Sequence, residues 1–557
     1  MISPWTCWLS TSVPLFLLAI QAVLVRGDSV LFMSNEYALG VLGDAPYQIY
    51  FSSDFTPAAW NFAVPHNRTT PSTPGYLFMA PRGTSIQQYG AVIYDESGQM
   101  VWNGNQYGEA MSFQVVTYKG EPHIVLWSGI WRQGFIGVGY GFNILLNQAY
   151  EVVANYTTDL DSDTGKTLAD LHETQVTSNN TGLMTAYPYK SMDLSPYGGP
   201  TSGWLMDSAA QEVNITSERI LRDFVGEALW TWRASEHEDP SNCYPIGSNG
   251  KDVNNPWDFF HINSIEKDDD GNFLISSRHC STIYYLSGAD GHIIWRLGGV
   301  KTSFEMGDGT NFSFQHDARW LTKDQKNATM SLFDNAGMSG VHNESTARGL
   351  ILGLDFENMK ATLIQAFIPW NPSVSESQGS VQVQPNGNVL IGWGQNPWVA
   401  EYNSSGALIW TTQFGVNNVQ GYRALRYNWT GTPSTSPSLE IVQGKSSLLS
   451  VYASWNGATE INKWELLGST SSDGTSPVSL YNKTKGGFET TITVGASNLE
   501  KYSHFAVRAI DRRNQPLGRS DFVQPGQNGG LKLNRDACIS SGLLAIAIVQ
   551  ILHLLSL

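Results

Sequence analysis

Apolar positions in this chain come in short runs with two-residue periodicity, and each run is closed by Gly, Asn, Asp or Ser. That pattern predicts strands joined by tight turns. Three stretches align: GYLFMAPRG…GAVIYDESGQMVWNG over 75–104, GNFLISSRH…IYYLSGADGHIIWRLGG over 271–299, and GNVLIGWGQNPWVAEYNSSGALIWTTQF over 387–414. Each holds an apolar strand, a loop, a second strand ending in a polar Gly turn, and an apolar pair followed by Trp. The matching residues are Trp102, Trp295 and Trp410, and a degenerate copy ends at Trp230 and Trp232. Self-similar groups of strands predict a β-propeller or a β-solenoid, with an array of sandwiches as the alternative. The propeller is preferred because the repeated Trp is placed to wedge between adjacent blades. Residues 28–430 are enough for roughly six blades.

The texture changes near residue 430. Residues 431–437 read as a Pro/Ser/Thr-rich linker. Over 438–525 the runs LLSVYASWNGA, KWELLGST, FETTITV and HFAVRAID predict a small fibronectin III or Ig-like β-sandwich, without the Cys…Trp…Cys pattern of a true Ig domain. The fold class is therefore all-β. Composition agrees: aromatics make up 12% and there are 54 Gly, which suits many strands and turns. The formal net charge of -16 excludes a nucleic-acid backbone as partner and otherwise reads as solubility.

Both ends read as processing signals. The apolar run 12–25, with Val25 and Gly27 before a cut, predicts a signal peptide over 1–27, although no Lys or Arg precedes it. Residues 526–557 read as a spacer and hydrophobic tail of a GPI-anchor signal, the competing reading being a membrane helix from about Ala537. Either places the protein in the secretory pathway, at the extracellular face of the plasma membrane or the cell wall. Cys7 and Cys538 fall in those end segments, which leaves Cys243 and Cys280 as a disulfide candidate or two free thiols. Asn67, Asn155, Asn179, Asn214, Asn311, Asn327, Asn343, Asn403, Asn428 and Asn482 each open an N-glycosylation sequon, which also points to secretion. Nothing in the pattern sets the oligomeric state.

Polar chemistry concentrates between Trp257 and Trp320, where His261, His279, His316, Arg278 and Arg319 interrupt apolar runs. His261 and Asn263 are two apart, so on one strand they face the same side. Arg278 follows FLISS at the end of the next strand, and His316 follows FSF with Asp317 beside it. On an extended strand His279 faces opposite to Arg278. Three elements can thus aim His, Asn, Arg and a second His at one point in a propeller channel. Arg among neutral donors suits a sulfate or phosphate group, and His can act as nucleophile or proton carrier. A three-His metal site from His261, His279 and His316 is the competing use, but no metal or other cofactor is expected. His261, Asn263, Arg278 and His316 have no counterparts in the other repeat units, which marks them for function rather than scaffold.

At these residues the chain resembles the arylsulfotransferase family, in the form found in secreted fungal proteins. The resemblance lies in W-D-x-F-H-I-N-S-I (257–265), D-G-N-F-L-I-S-S-R-H (270–279), G-H-I-I-W-R-L-G-G (291–299) and Q-H-D-A-R (315–319). LHETQ (171–175), GNVLIGWG (387–394) and SWNGATEI (454–461) match more weakly. The resemblance implies a six-bladed propeller that transfers a sulfuryl group from a phenolic sulfate ester to a phenol, without the nucleotide donor PAPS. It implies a histidine that carries the group in a ping-pong cycle, a place taken here by His316. His261, Asn263 and Arg278 take the place of the groups around the sulfuryl oxygens, and His172 that of another channel histidine. His279 and Arg319 are further candidates for substrate contact. The bacterial members lack the C-terminal sandwich and the anchor signal. The alternative function is a non-catalytic surface propeller that binds glycan, wall polymer or protein, and a metal- or quinone-dependent propeller enzyme is the third.

Overall fold

Inside the repeat units the strands are buried along their whole length. Phe273–Ser277 and Thr282–Leu286, for example, have no exposed residue. Both faces of such a strand are covered by neighbouring sheets, so the sequence shows continuous apolar runs rather than strict alternation. The structure, a computed structural model, describes residues 25–26 and 33–525, apart from 67–70, 132–136, 216–225, 444–447, 496–497 and 499.

Up to Tyr427, six sheets of four or five strands follow one another among the described residues. Their first strands are Ala110–Tyr118, Thr174–Val176, Ile262–Lys267, His316–Lys323, Ser380–Val383 and Gln420–Tyr427. Each first strand lies at one edge of its sheet. The sheets touch in sequence near these strands, and Gln420–Tyr427 meets Ala110–Tyr118, so the six form a closed ring. This is a β-propeller, with the first strands around its central channel. The sixth sheet is composite: Gln420–Tyr427 pairs with Tyr76–Arg82 from the start of the chain, followed by Val92–Tyr94 and Met100–Asn103. Asn61–Val64 is added outside the fifth sheet, beside Leu408–Gln413.

The repeated tryptophans lie on the outermost repeat strands. Trp295 stacks on Tyr285 of its own sheet and meets Trp320 and Phe356 of the next, which is the wedge expected from the repeat. The channel strands share a second device. Register slips occur at Met111/Gln114, Ile262/Ser264, His316/Arg319 and Gly421/Ala424. Ser112, His261 and Asp317 near three of them have φ of 48°, 54° and 56°. Bulges of this kind re-aim side chains next to a functional site.

Beyond the ring, one sheet of Ser438–Gln443, Leu449–Ser454 and Thr490–Val494 and another of Val478–Thr484, Lys463–Ser469, His504–Ile510 and Pro516–Arg519 form a sandwich. They share a core that includes Val451, Trp464, Leu466, Phe505 and Val507. Asn103 and Asn456 exchange hydrogen bonds between propeller and sandwich (2.9 and 3.0 Å), and Tyr150 Oη donates to the Gly457 carbonyl at 2.9 Å. The expected signal peptide, the C-terminal anchor segment and the Asn67 sequon fall almost wholly outside the described residues. No described helix is long and apolar enough to cross a membrane. Asn179, Asn311, Asn327, Asn343, Asn428 and Asn482 are exposed, and Asn155, Asn214 and Asn403 are half-buried.

Candidate active site

The histidines sit where the first strands begin, at one end of the channel. His261 immediately precedes Ile262–Lys267, His316 opens His316–Lys323, and His172 lies two residues before Thr174–Val176. Ring closure brings these three sheets together. The His172 and His261 rings meet edge to face with centroids 4.9 Å apart, and His261 and His279 are 4.6 Å apart. Arg278, His172 and His261 all lie close enough to His316 to act on its protonation.

Each histidine is oriented by a hydrogen bond at Nδ1. His172 Nδ1 lies 2.5 Å from Asp170 Oδ2, and His261 Nδ1 lies 2.5 Å from Asp258 Oδ2. Both carboxylates accept, so both rings carry the proton on Nδ1 and present Nε2. His316 Nδ1 lies 2.7 Å from Asn335 Oδ1 and 3.1 Å from the Phe314 carbonyl, both acceptors. Its Nε2 accepts the backbone N–H of Gln378 at 3.2 Å. His316 is thus the Nδ1–H tautomer with its lone pair on Nε2. Burial first, then the Arg278 charge, holds its pKa well below the usual 6.5. Burial, with His172 and Arg278 beside it, does the same for His261.

Arg278 stands in the turn after Phe273–Ser277. Nη1 contacts His279 Nε2 at 2.7 Å and Nη2 donates to the Glu376 carbonyl at 2.9 Å, while the buried Nε–H has no partner among the described residues. The expectation that His279 faces away from Arg278 fails. The strand ends at Ser277, and in the turn the two side chains meet. His279 gives its Nδ1–H to the Asp258 carbonyl at 2.7 Å and its Nε2 to Arg278, so neither nitrogen is left for substrate. Burial pushes its pKa down to about 3. His279 therefore positions the guanidinium. Asp258, His261 and His279 also have the spacing of a small cation site. However, the Arg278 guanidinium occupies His279 Nε2 and sets a positive charge beside the group, so it does not suit a cation, although Asp258 Oδ1 has no partner among the described residues. The three-His metal arrangement does not suit one either, since both His279 nitrogens are committed.

Asn263 does not simply share a strand face with His261. The left-handed His261 and the register slip between Ile262 and Ser264 break the two-residue alternation. Asn263 Nδ2 donates to the Gln315 carbonyl at 2.6 Å, next to His316, which uses one of its two hydrogens. Arg319 is a clearer correction. Its guanidinium is held by Asp317 (2.8 Å) and Glu173, and Glu173 also takes Arg423 in two contacts of 2.9 and 3.1 Å. Arg423 reaches on to the Asn263 carbonyl at 3.3 Å. Arg319 thus belongs to a closed group of two arginines and two carboxylates in the channel, and its charge is neutralised there.

A cavity of about 680 Å³ opens at the opposite end of the channel, lined by Gln114, Gln175, Gln382, Arg319 and Tyr427 among others. It contains no histidine, and its one ion pair is already satisfied, so the chemistry is assigned to the histidine end. Cys243 and Cys280 form a disulfide (S–S 2.01 Å) that holds the Arg278–His279 turn against the preceding loop. Asp170, Asp258, Asn335 and Gln378 were not legible as site residues. Asp-x-His at 170–172 and Asp-x-x-His at 258–261 were the available signal for the first two. Asn335 and Gln378 reach His316 from other loops, which local spacing does not reveal.

A family model described as arylsulfotransferase (ASST) matches residues 114–415, more than half of the chain. No curated protein matches. Among solved structures, a protein of unknown function from Bacteroides caccae is 13% identical, with 63% of this chain and 98% of that one covered at a TM-score of 0.34. A protein from Lactobacillus plantarum is 10% identical, covering 75% and 100% at 0.30. A GH43 protein from Bacillus licheniformis is 9% identical, covering 75% and 89% at 0.27. Likeness at this level bears on neither fold nor function.

Proposed function

This chain belongs to the arylsulfotransferase family, and on that premise we propose that it moves a sulfuryl group from a phenolic sulfate ester to a phenol through a sulfohistidine at His316. The observation that carries the reading is the His316 ring. Its proton is fixed on Nδ1 by Asn335, its Nε2 meets a backbone N–H, and the Arg278 charge acts on it. A neutral imidazole with an oriented lone pair is a competent nucleophile, and splitting one displacement into two lowers each barrier.

In the first half-reaction the Nε2 lone pair of His316 attacks sulfur, and the bond from sulfur to the phenolic oxygen breaks. The Gln378 N–H releases Nε2 for this step. The departing phenolate keeps the bonding electrons and takes a proton from His261 Nε2. His261 is neutral in the empty site. A bound sulfate ester brings a negative charge, which favours its protonation. In the second half the acceptor phenol returns that proton to His261, its oxygen attacks sulfur, and the N–S electrons return to His316. Arg278 Nε–H and the second Asn263 Nδ2 hydrogen are donors suited to the sulfuryl oxygens, whose charge is redistributed in the transition state. The cycle balances with one proton and no further reactant.

The reading includes a secretory route, supported by the disulfide and the exposed sequons. It extends to a site of action at the cell surface. The test of the activity is release of p-nitrophenol from p-nitrophenyl sulfate in the presence of a phenol acceptor. The wild-type protein is expected to turn over and His316→Ala to fall to background. Equal rates for the two would overturn the proposal.

A further inference from the structure

Asn335 ends the Asn327–Asp334 strand of the fourth sheet and is fully buried. Its amide is held at three points. Nδ2 donates to the Ser375 carbonyl at 2.7 Å and to the Gln378 carbonyl at 2.9 Å. Both partners are carbonyls, so that end must be the NH2 group and the amide cannot be flipped. Oδ1 is left to face His316 Nδ1 at 2.7 Å. The same amide therefore makes two settings at once. It selects the histidine tautomer, and it ties down the 375–378 loop whose Gln378 N–H meets Nε2. His316 is gripped at both nitrogens by one residue and by the loop that residue holds.

We infer that Asn335 is a positioning residue for the sulfuryl-transfer nucleophile, holding His316 as the Nδ1–H tautomer so that the Nε2 lone pair faces the transferred group. This rests on the reading of His316 as the nucleophile. An amide does this differently from a carboxylate. Asp258 sits beside His261, which suits a ring that picks up a proton during the cycle. Asn335 orients without charge, so His316 Nε2 stays unprotonated at neutral pH, with its lone pair accepting the Gln378 N–H until that contact is released. The charged and titratable groups facing His316 agree with this. Arg278, His172 and His261 come from other elements. On its own strand, Asp317 is turned away to the Val381 N–H, Arg319 and Arg423. Asp334, next to Asn335, is paired with Arg348. Glu376 presents its backbone to Arg278 and its carboxylate to His342. Among the described residues no carboxylate is hydrogen-bonded to the imidazole.

The test uses the full protein, with pre-steady-state release of p-nitrophenol in the absence of acceptor and sulfur-35 retained on the protein as paired readouts. The 15N spectrum of the His316 ring is recorded beside them. The wild-type ring is expected to show Nδ1 protonated and Nε2 bare. Asn335→Ala is expected to lower the rate of the first half-reaction by about 10- to 100-fold with donor KM changed less than about threefold, and to mix the ring tautomers. Asn335→Asp, which keeps an acceptor and adds charge, is expected to retain one tautomer and to move the acid limb of the rate up by about one pH unit. Thermal melts confirm that the variants are folded, and the wild-type ring spectrum tests the tautomer whether or not they are. An Nε2–H tautomer in the wild type overturns the inference. So does wild-type burst kinetics and an unmoved acid limb in folded variants. If the wild type retains no label, the nucleophile reading itself fails, which is a separate outcome.

Discussion

His316, His261 and His279 are all buried, and each loses more by carrying charge than its neighbours restore. For His316 the sign is direct. Its pKa in the folded protein lies well below 6.5, so at neutral pH it is a free base. With p-nitrophenyl sulfate the leaving oxygen needs no proton near neutrality. The kcat/KM of the donor half-reaction is then expected to stay level from about pH 8 to about pH 6 and to fall only below that. A pH series of burst rates checks this, and an acid limb centred at or above 6.5 contradicts it. His261, Asn263, Arg278 and His316 could be picked out from sequence because they interrupt a repeat whose other copies lack them. The partners that orient them could not. Asn335 and Gln378 lie 19 and 62 residues from His316 and reach it only across folded loops. The ion pairs of Arg319 were hidden for the converse reason: Glu173, one of the two carboxylates that neutralise it, lies on another sheet and is shared there with Arg423.

The strands of the repeat units were legible because burial on both faces writes an apolar run into the sequence. Their ends were not. Extended geometry carried past Ser277 put His279 on the wrong side of Arg278, and the left-handed residues at the start of the channel strands, His261, Asp317 and Gln378 (φ 54°, 56° and 65°), are not glycines; the preference of His and Asp for that region is too weak to mark a position. The loop over His316 shows how tightly such a segment is set. Gly379 follows Gln378 with φ of 112°, and a Cβ there would come within 2.3 Å of the Phe333 ring. Gly379→Ala is therefore expected to cost about 2–4 kcal/mol, from backbone strain and overpacking together. Urea denaturation measures it, and an unchanged midpoint contradicts this description of the turn.

Across the whole molecule, closure of the ring makes the site. His172, His261 and His316 stand at the starts of the channel strands of the second, third and fourth sheets, which are neighbours in the ring, and the ring is completed where Gln420–Tyr427 pairs with Tyr76–Arg82 in the sixth. That pairing joins Gln420 to Arg82 across 338 residues, a separation for which no local pattern exists, although the all-β propeller class was plain from the repeats. Glu173, Asp317, Arg319 and Arg423 tie the second, fourth and sixth sheets together beneath the histidines, and Arg423 fixes the Asn263 carbonyl. The architecture thus presents one oriented, neutral imidazole at the meeting point of three sheets, and the account stands on that group carrying the sulfuryl. The most direct test is mass spectrometry under non-acidic conditions after incubation with an aryl sulfate and no acceptor. The account predicts one SO3 group per chain, on the peptide containing His316, which disappears when a phenol is added. An unlabelled protein that nevertheless turns over, or a label on any other residue, would contradict it.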